Sequence, residues 1–78
     1  MKILEKSGGD RIMLICEGVS QKEGEVSIKL VGNGKVINIP AWVLHSTECF
    51  AKPKTTYLAL PKDLSMSEVA EFEYVEFI

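Results

Sequence analysis

Asn33-Gly34 is the strongest local constraint in this chain. Both residue types accept positive φ, which the tight turn of a two-residue β-hairpin requires. On its N-terminal side Val26, Ile28 and Leu30 alternate with Ser27 and Lys29, the period-two pattern of a half-buried strand. On its C-terminal side the run from Val36 to Ile39 is rich in β-branched residues and reads as a second strand. The chain is therefore expected to fold back at residues 32–34 and to pair residues 25–31 with residues 35–39.

The second strand opens a motif that occurs twice. Residues 35–44 read Lys-Val-Ile-Asn-Ile-Pro-Ala-Trp-Val-Leu, and residues 57–64 read Tyr-Leu-Ala-Leu-Pro-Lys-Asp-Leu. In each copy a strand runs into a proline, and two residues then precede an aliphatic side chain. Proline has no backbone donor and biases the residue before it towards extended geometry, so each strand is expected to stop there. Trp42 is then expected in a turn or short helix over residues 41–44, buried as a plug at one end of the core.

The remaining chain supplies more short strands and little helix. Residues 1–6 form a short strand in this reading, residues 7–10 a glycine turn, and residues 11–17 a strand whose apolar run suits burial. Residues 18–24 read as a polar loop with Gln21, Lys22 and Glu23 at its tip, and residues 45–54 as a second loop. Residues 55–60 form a strand. Ser65-Met66-Ser67-Glu68 fits a capping box opening a helix over residues 66–70. Residues 71–78 alternate imperfectly, as in a closing strand whose face changes character partway. The expected fold is mainly β: a small antiparallel five- to six-stranded barrel or half-barrel with one or two short helical turns. A two-layer α+β arrangement is the alternative if the helices are longer.

Seventy-eight residues make one domain, 1–78, and the hydrophobic fraction of 46% is that of an ordinary globular chain. The longest apolar run, residues 12–16, is far too short to span a membrane, and no N-terminal segment reads as a secretory signal. A cytoplasmic location without membrane contact is the expectation, and with it no disulfide between Cys16 and Cys49. The formal charge of −2 is unevenly spread. All nine Lys and Arg stand in residues 1–62 beside six acids, whereas residues 63–78 hold five acids and no base. Such an acidic end either balances basic strands of its own domain or steers a basic partner.

No catalytic or metal constellation emerges. His45 and Cys49 are four apart, but two ligands make no zinc site, and nothing nearby orients a Cys-His nucleophile. No cofactor is expected, and Gly32-x-Gly34 and Gly8-Gly9 are turns rather than phosphate loops. Trp42, Phe50 and Tyr57 with Lys52, Lys54 and Lys62 form the one aromatic-and-basic cluster in the sequence. Aromatic side chains beside lysines bind single-stranded nucleic acid on small barrels.

The pieces Ile39-Pro40-Ala41-Trp42-Val43 and Leu60-Pro61-Lys62-Asp63 resemble the paired signatures of small phage and prophage accessory proteins. Those carry a strand running into Pro-Lys-Ser and another into Pro-x-Trp-Leu; here the order is reversed and Asp63 replaces the serine. The resemblance implies a mobile-element origin. Residues 1–6 with residues 9–14 are similar to the opening of the carbon-storage regulator family of RNA-binding proteins, although that family's later basic RNA-contacting position has no counterpart here. The expected function is non-enzymatic: a small binding or inhibitor module, phage-derived, docking on a larger protein through a β edge and the acidic residues Glu71, Glu73 and Glu76. The alternative is a nucleic-acid-binding small barrel using Trp42, Lys52, Lys54, Tyr57 and Lys62. Pairing of edge strands into a homodimer is open in both.

Overall fold

The chain folds back at Asn33-Gly34, as its sequence requires. The computed structural model describes residues 1–18, 22–44 and 54–78. Within them the order is β1 (Ile3–Ser7), β2 (Met13–Glu17), β3 (Gly24–Gly32), β4 (Lys35–Leu44), β5 (Thr55–Ala59), α1 (Met66–Val69) and β6 (Tyr74–Phe77). Asn33 has φ 50° and Gly34 φ 73°, so both turn residues are left-handed. Gly32 pairs with Lys35 across this turn, and nine register pairs carry the hairpin back to Gly24 and Val43. Of the two expected loops, residues 45–54 lie almost wholly outside the described residues; in the other, residues 19–21 lie outside them and Gly24 already belongs to β3.

One antiparallel sheet in the order β1-β2-β5-β4-β3-β6 holds every strand of the described residues. Its two ends meet at a single bridge between Lys2 and Tyr74. There Ile3 N–H donates to Glu73 O and Val75 N–H to Met1 O, each at 2.8 Å. The sheet is thus curled without being closed along its strands, which is the half-barrel form of the expected fold. Inside the curl Leu14, Ile28, Leu30, Leu58 and Leu60 are fully buried, and Val69, Phe72 and Val75 complete the core from the C-terminal segment. Burial of this apolar set is the main stabilising term in so small a domain.

The proline rule fails at Pro40. β4 passes straight through it and ends at Leu44, so Trp42 lies in the strand and no helical turn forms over residues 41–44. The ladder explains why. Ile78 N–H donates to Ser27 O at 3.0 Å, so Ser27 turns its polar groups towards β6. Its register partner Pro40 therefore stands in a non-hydrogen-bonded pair, where β3 asks for no donor. On the other side β4 pairs with β5 only from Trp42 to Leu44, so Pro40 owes no donor there either. Pro61 behaves as expected, since β5 ends at Ala59 and Leu64 N–H closes a turn onto Pro61 O at 3.3 Å.

α1 begins after Ser65, but the capping box forms differently. The Ser65 hydroxyl meets the Glu68 carboxylate at 3.2 Å rather than a backbone donor, and Glu68 N–H donates to Ser65 O at 3.0 Å. β6 is shorter than residues 71–78. Glu71, Phe72 and Glu73 form the approach to it, and the buried Phe72 precedes the strand's own inward side chain, Val75. That break produces the change of face.

The approach crosses Gly32. A Cβ there would meet the Glu71 carbonyl oxygen head-on, with Phe72 Cα at 2.7 Å and Glu73 N at 2.9 Å. Gly32→Ala is expected to cost on the order of 1–3 kcal/mol by forcing backbone apart. Gly34→Val, which meets open space and suffers only from its φ of 73°, should cost a similar amount through strain alone. Chemical denaturation checks both. An unchanged midpoint for either would place the crossing or the turn elsewhere.

Candidate docking surface

Alternation and register divide the sheet's side chains cleanly. Lys6, Leu14, Leu58 and Val43 lie in register on successive strands, and the last three are buried in the core. Cys16 and Thr56 form the next inward row. The rows between them must face the other way. One contains Glu5, Ile15, Tyr57 and Leu44; the other contains Ser7, Met13, Ala59, Trp42 and Glu25. The outer face of β2, β5 and β4 is consequently apolar and aromatic, although the core behind it is already complete.

Trp42 belongs to this face. The expected plug is not in the core cluster, and the indole is half-buried. The Arg11 guanidinium lies 5.2 Å from its ring centroid, a cation–π distance. Its register partner Ala59 is only 4% exposed despite its outward direction. Leu44 is 42% exposed, and Met13, Ile15 and Tyr57 are half-buried. The carboxylates of Glu5, Glu17 and Glu25 rim the patch from three strands, all exposed. Sequence reasoning passed over Met13 and Ile15 because a continuous apolar run reads as buried on both sides.

The structure brings Trp42 and Tyr57 onto one face, with the exposed Lys54 just before β5 at φ 60°. Lys62 is exposed beyond the end of β5. Lys52 and Phe50, like His45 and Cys49, lie outside the described residues.

The acidic residues lie elsewhere. Glu71, Glu73 and Glu76 are all exposed. Glu71 and Glu73 line a hollow of about 400 Å³ with Asn33 and Ala70. Lys35 Nζ donates to Glu71 at 2.9 Å. That hydrogen bond and its charge hold the Glu71 carboxyl below the usual range, with a smaller contribution from Asn33. Glu76 stands in register with Lys29. Glu71 at least is matched by a lysine of its own domain.

Cys16 is free and buried, and desolvation pushes its thiol up to about 11, against a smaller opposing pull from the N-terminal ammonium. A thiol held protonated is no nucleophile at neutral pH. Among the described residues no group of three His, Cys, Asp or Glu side chains stands together as a metal site. No protein-family model, curated protein or solved structure matches the chain.

Two outcomes follow. Because the folded thiol titrates above its unfolded value of 9.0, Cys16 favours folding fully below pH 9 and progressively less up to about pH 11. A denaturation series over that window should fall more steeply for the wild type than for Cys16→Ala; parallel curves would show a solvated thiol. Trp42→Ala should cost clearly less than the roughly 2–5 kcal/mol of Leu58→Ala. Iodide should quench the tryptophan fluorescence of the folded protein, whereas a shielded indole would return Trp42 to the core.

Proposed function

We propose that the chain is a non-enzymatic binding module that docks on a larger protein through the outer face of β2, β5 and β4. The observation that carries this reading is the pair of outward rows, in which Met13, Ile15, Trp42, Leu44 and Tyr57 stand on the solvent side of a sheet whose core is full. Aromatic and Met side chains within a polar rim have the composition of a protein-binding patch. The rim of Glu5, Glu17 and Glu25 complements a partner whose apolar surface is flanked by Lys or Arg. It disfavours a polyphosphate backbone. An inhibitor action by occlusion fits the same face, as does the mobile-element origin implied by the two strand–proline pieces. Glu71, already paired with Lys35, has less charge to offer such a partner than the rim does.

A second reading is kept for one observation. Trp42 with Arg11 over its ring, on the same face as Tyr57, has the stacking and cationic groups that single-stranded nucleic acid uses.

Titration against single-stranded DNA and RNA at low and high salt separates the two. The protein-docking reading expects no salt-sensitive micromolar binding; such binding, lost in Trp42→Ala, would establish the second reading instead. In parallel, proteins of the native host retained by the wild type should be released by Ile15→Arg with Trp42→Ala. Retention of the same proteins by that double variant would remove the outer face from the mechanism.

A further inference from the structure

β4 is ten residues long, yet it meets β5 only at Trp42, Val43 and Leu44. Among the described residues, its first half has β3 on one side and no strand on the other. The ladder fixes which groups are left open. Glu73 N–H donates to Val31 O and Ile78 N–H to Ser27 O, so the odd-numbered residues of β3 turn their polar groups to the β6 side. Val26, Ile28 and Leu30 turn theirs to Ala41, Ile39 and Ile37 of β4. Val36, Asn38 and Pro40 then turn theirs away from β3. That edge offers two N–H donors, from Val36 and Asn38, and three carbonyl acceptors. None of the three residues makes a backbone hydrogen bond to another described element outside the strands. Residues 36–40 carry no charge, and Val36 is 56% exposed. An uncharged open edge is a template for strand addition.

We propose that this edge pairs antiparallel with the same edge of a second copy of the chain, Asn38 facing Asn38 across a two-fold axis. The groups on the edge are self-complementary in this register. The two Asn38 residues exchange N–H and C=O bonds, and each Val36 N–H donates to Pro40 C=O of the other copy. All four donors are used. Proline's missing N–H leaves only the two Val36 carbonyls unmatched, and the overlap stays within residues 36–40, clear of the turn at Asn33-Gly34. Charge does not oppose the approach, because Lys35 at the end of the segment already holds Glu71 at 2.9 Å. Pairing of this kind continues one sheet through both copies with the same face on the same side. The two outer faces bearing Trp42 then point in one direction, and the dimer offers two docking faces to a partner. The pairing itself stands independently of what docks there.

Sedimentation velocity from micromolar to millimolar protein tests this with three variants. The wild type is expected to pass from monomer to dimer. Asn38→Pro removes both central donors and should remain monomeric at every concentration. Pro40→Thr supplies two donors opposite the Val36 carbonyls and should tighten the dimer about tenfold. Trp42→Ala, on the outer face, should leave association unchanged. Amide exchange of the wild type gives a reading independent of how Asn38→Pro folds: the Val36 and Asn38 amides should slow as concentration rises. A wild type monomeric throughout would overturn the proposal and leave the edge to a foreign strand. It would equally fall if the dimer survived Asn38→Pro, ignored Pro40→Thr or was lost in Trp42→Ala.

Discussion

The fold depends on how the last strand enters. β6 must leave the α1 segment, cross the β3–β4 hairpin and lie beside β3 while reaching the N-terminus of β1. Gly32 makes that crossing possible, since backbone of residues 71–73 occupies the space a side chain would need. Once β6 is seated, Val75 enters the core, and Met1 and Ile3 bond to the strand's other side. The sheet then curls around one apolar interior with its two ends in contact. A chain this short has few other ways to enclose a core.

Curling the sheet sets its outer face apart. In β2, β5 and β4 the inward rows fill the core, and the outward rows repeat nearly the same apolar chemistry towards solvent. A sheet with one packed face ordinarily carries polar residues on the other. Here Met13 and Ile15 on β2, Tyr57 on β5, and Trp42 and Leu44 on β4 depart from that pattern together, on three successive strands. The exposed edge of β4 beside them carries no charge over residues 36–40. Lys22, by contrast, serves structure: its ammonium lies 5.3 Å from the Phe77 ring and donates to Ile78 O at 3.2 Å, fastening the end of β6.

Local signals in the sequence located the elements well wherever turn chemistry or alternation spoke plainly. Asn33-Gly34, the alternation of Val26 to Leu30, the stop at Pro61 and the short helix after Ser65 all appear where the residues imply them. Pro40 misled because a proline's effect depends on which way its nitrogen faces in the ladder, and pairing is non-local. Trp42 misled with it: once β4 continued through Pro40, strand alternation put the indole outside with residues 36, 38 and 40. The continuous run of residues 12–16 concealed a second surface, since no periodicity distinguishes a strand buried twice from one that buries one face and offers the other. Glu71 and Glu73 precede β6 rather than lying in it, and Lys35, the partner of Glu71, stands 36 residues away, a separation at which no local pattern marks it as a partner.

β2, β5 and β4 bury one apolar face and expose another. Paramagnetic relaxation of side-chain methyl groups by a soluble nitroxide measures this directly. Strong broadening is predicted for Met13, Ile15 and Leu44, with Leu14, Leu58 and Val43 protected on the same three strands. Equal protection of both sets would contradict the two-faced sheet and, with it, the docking surface.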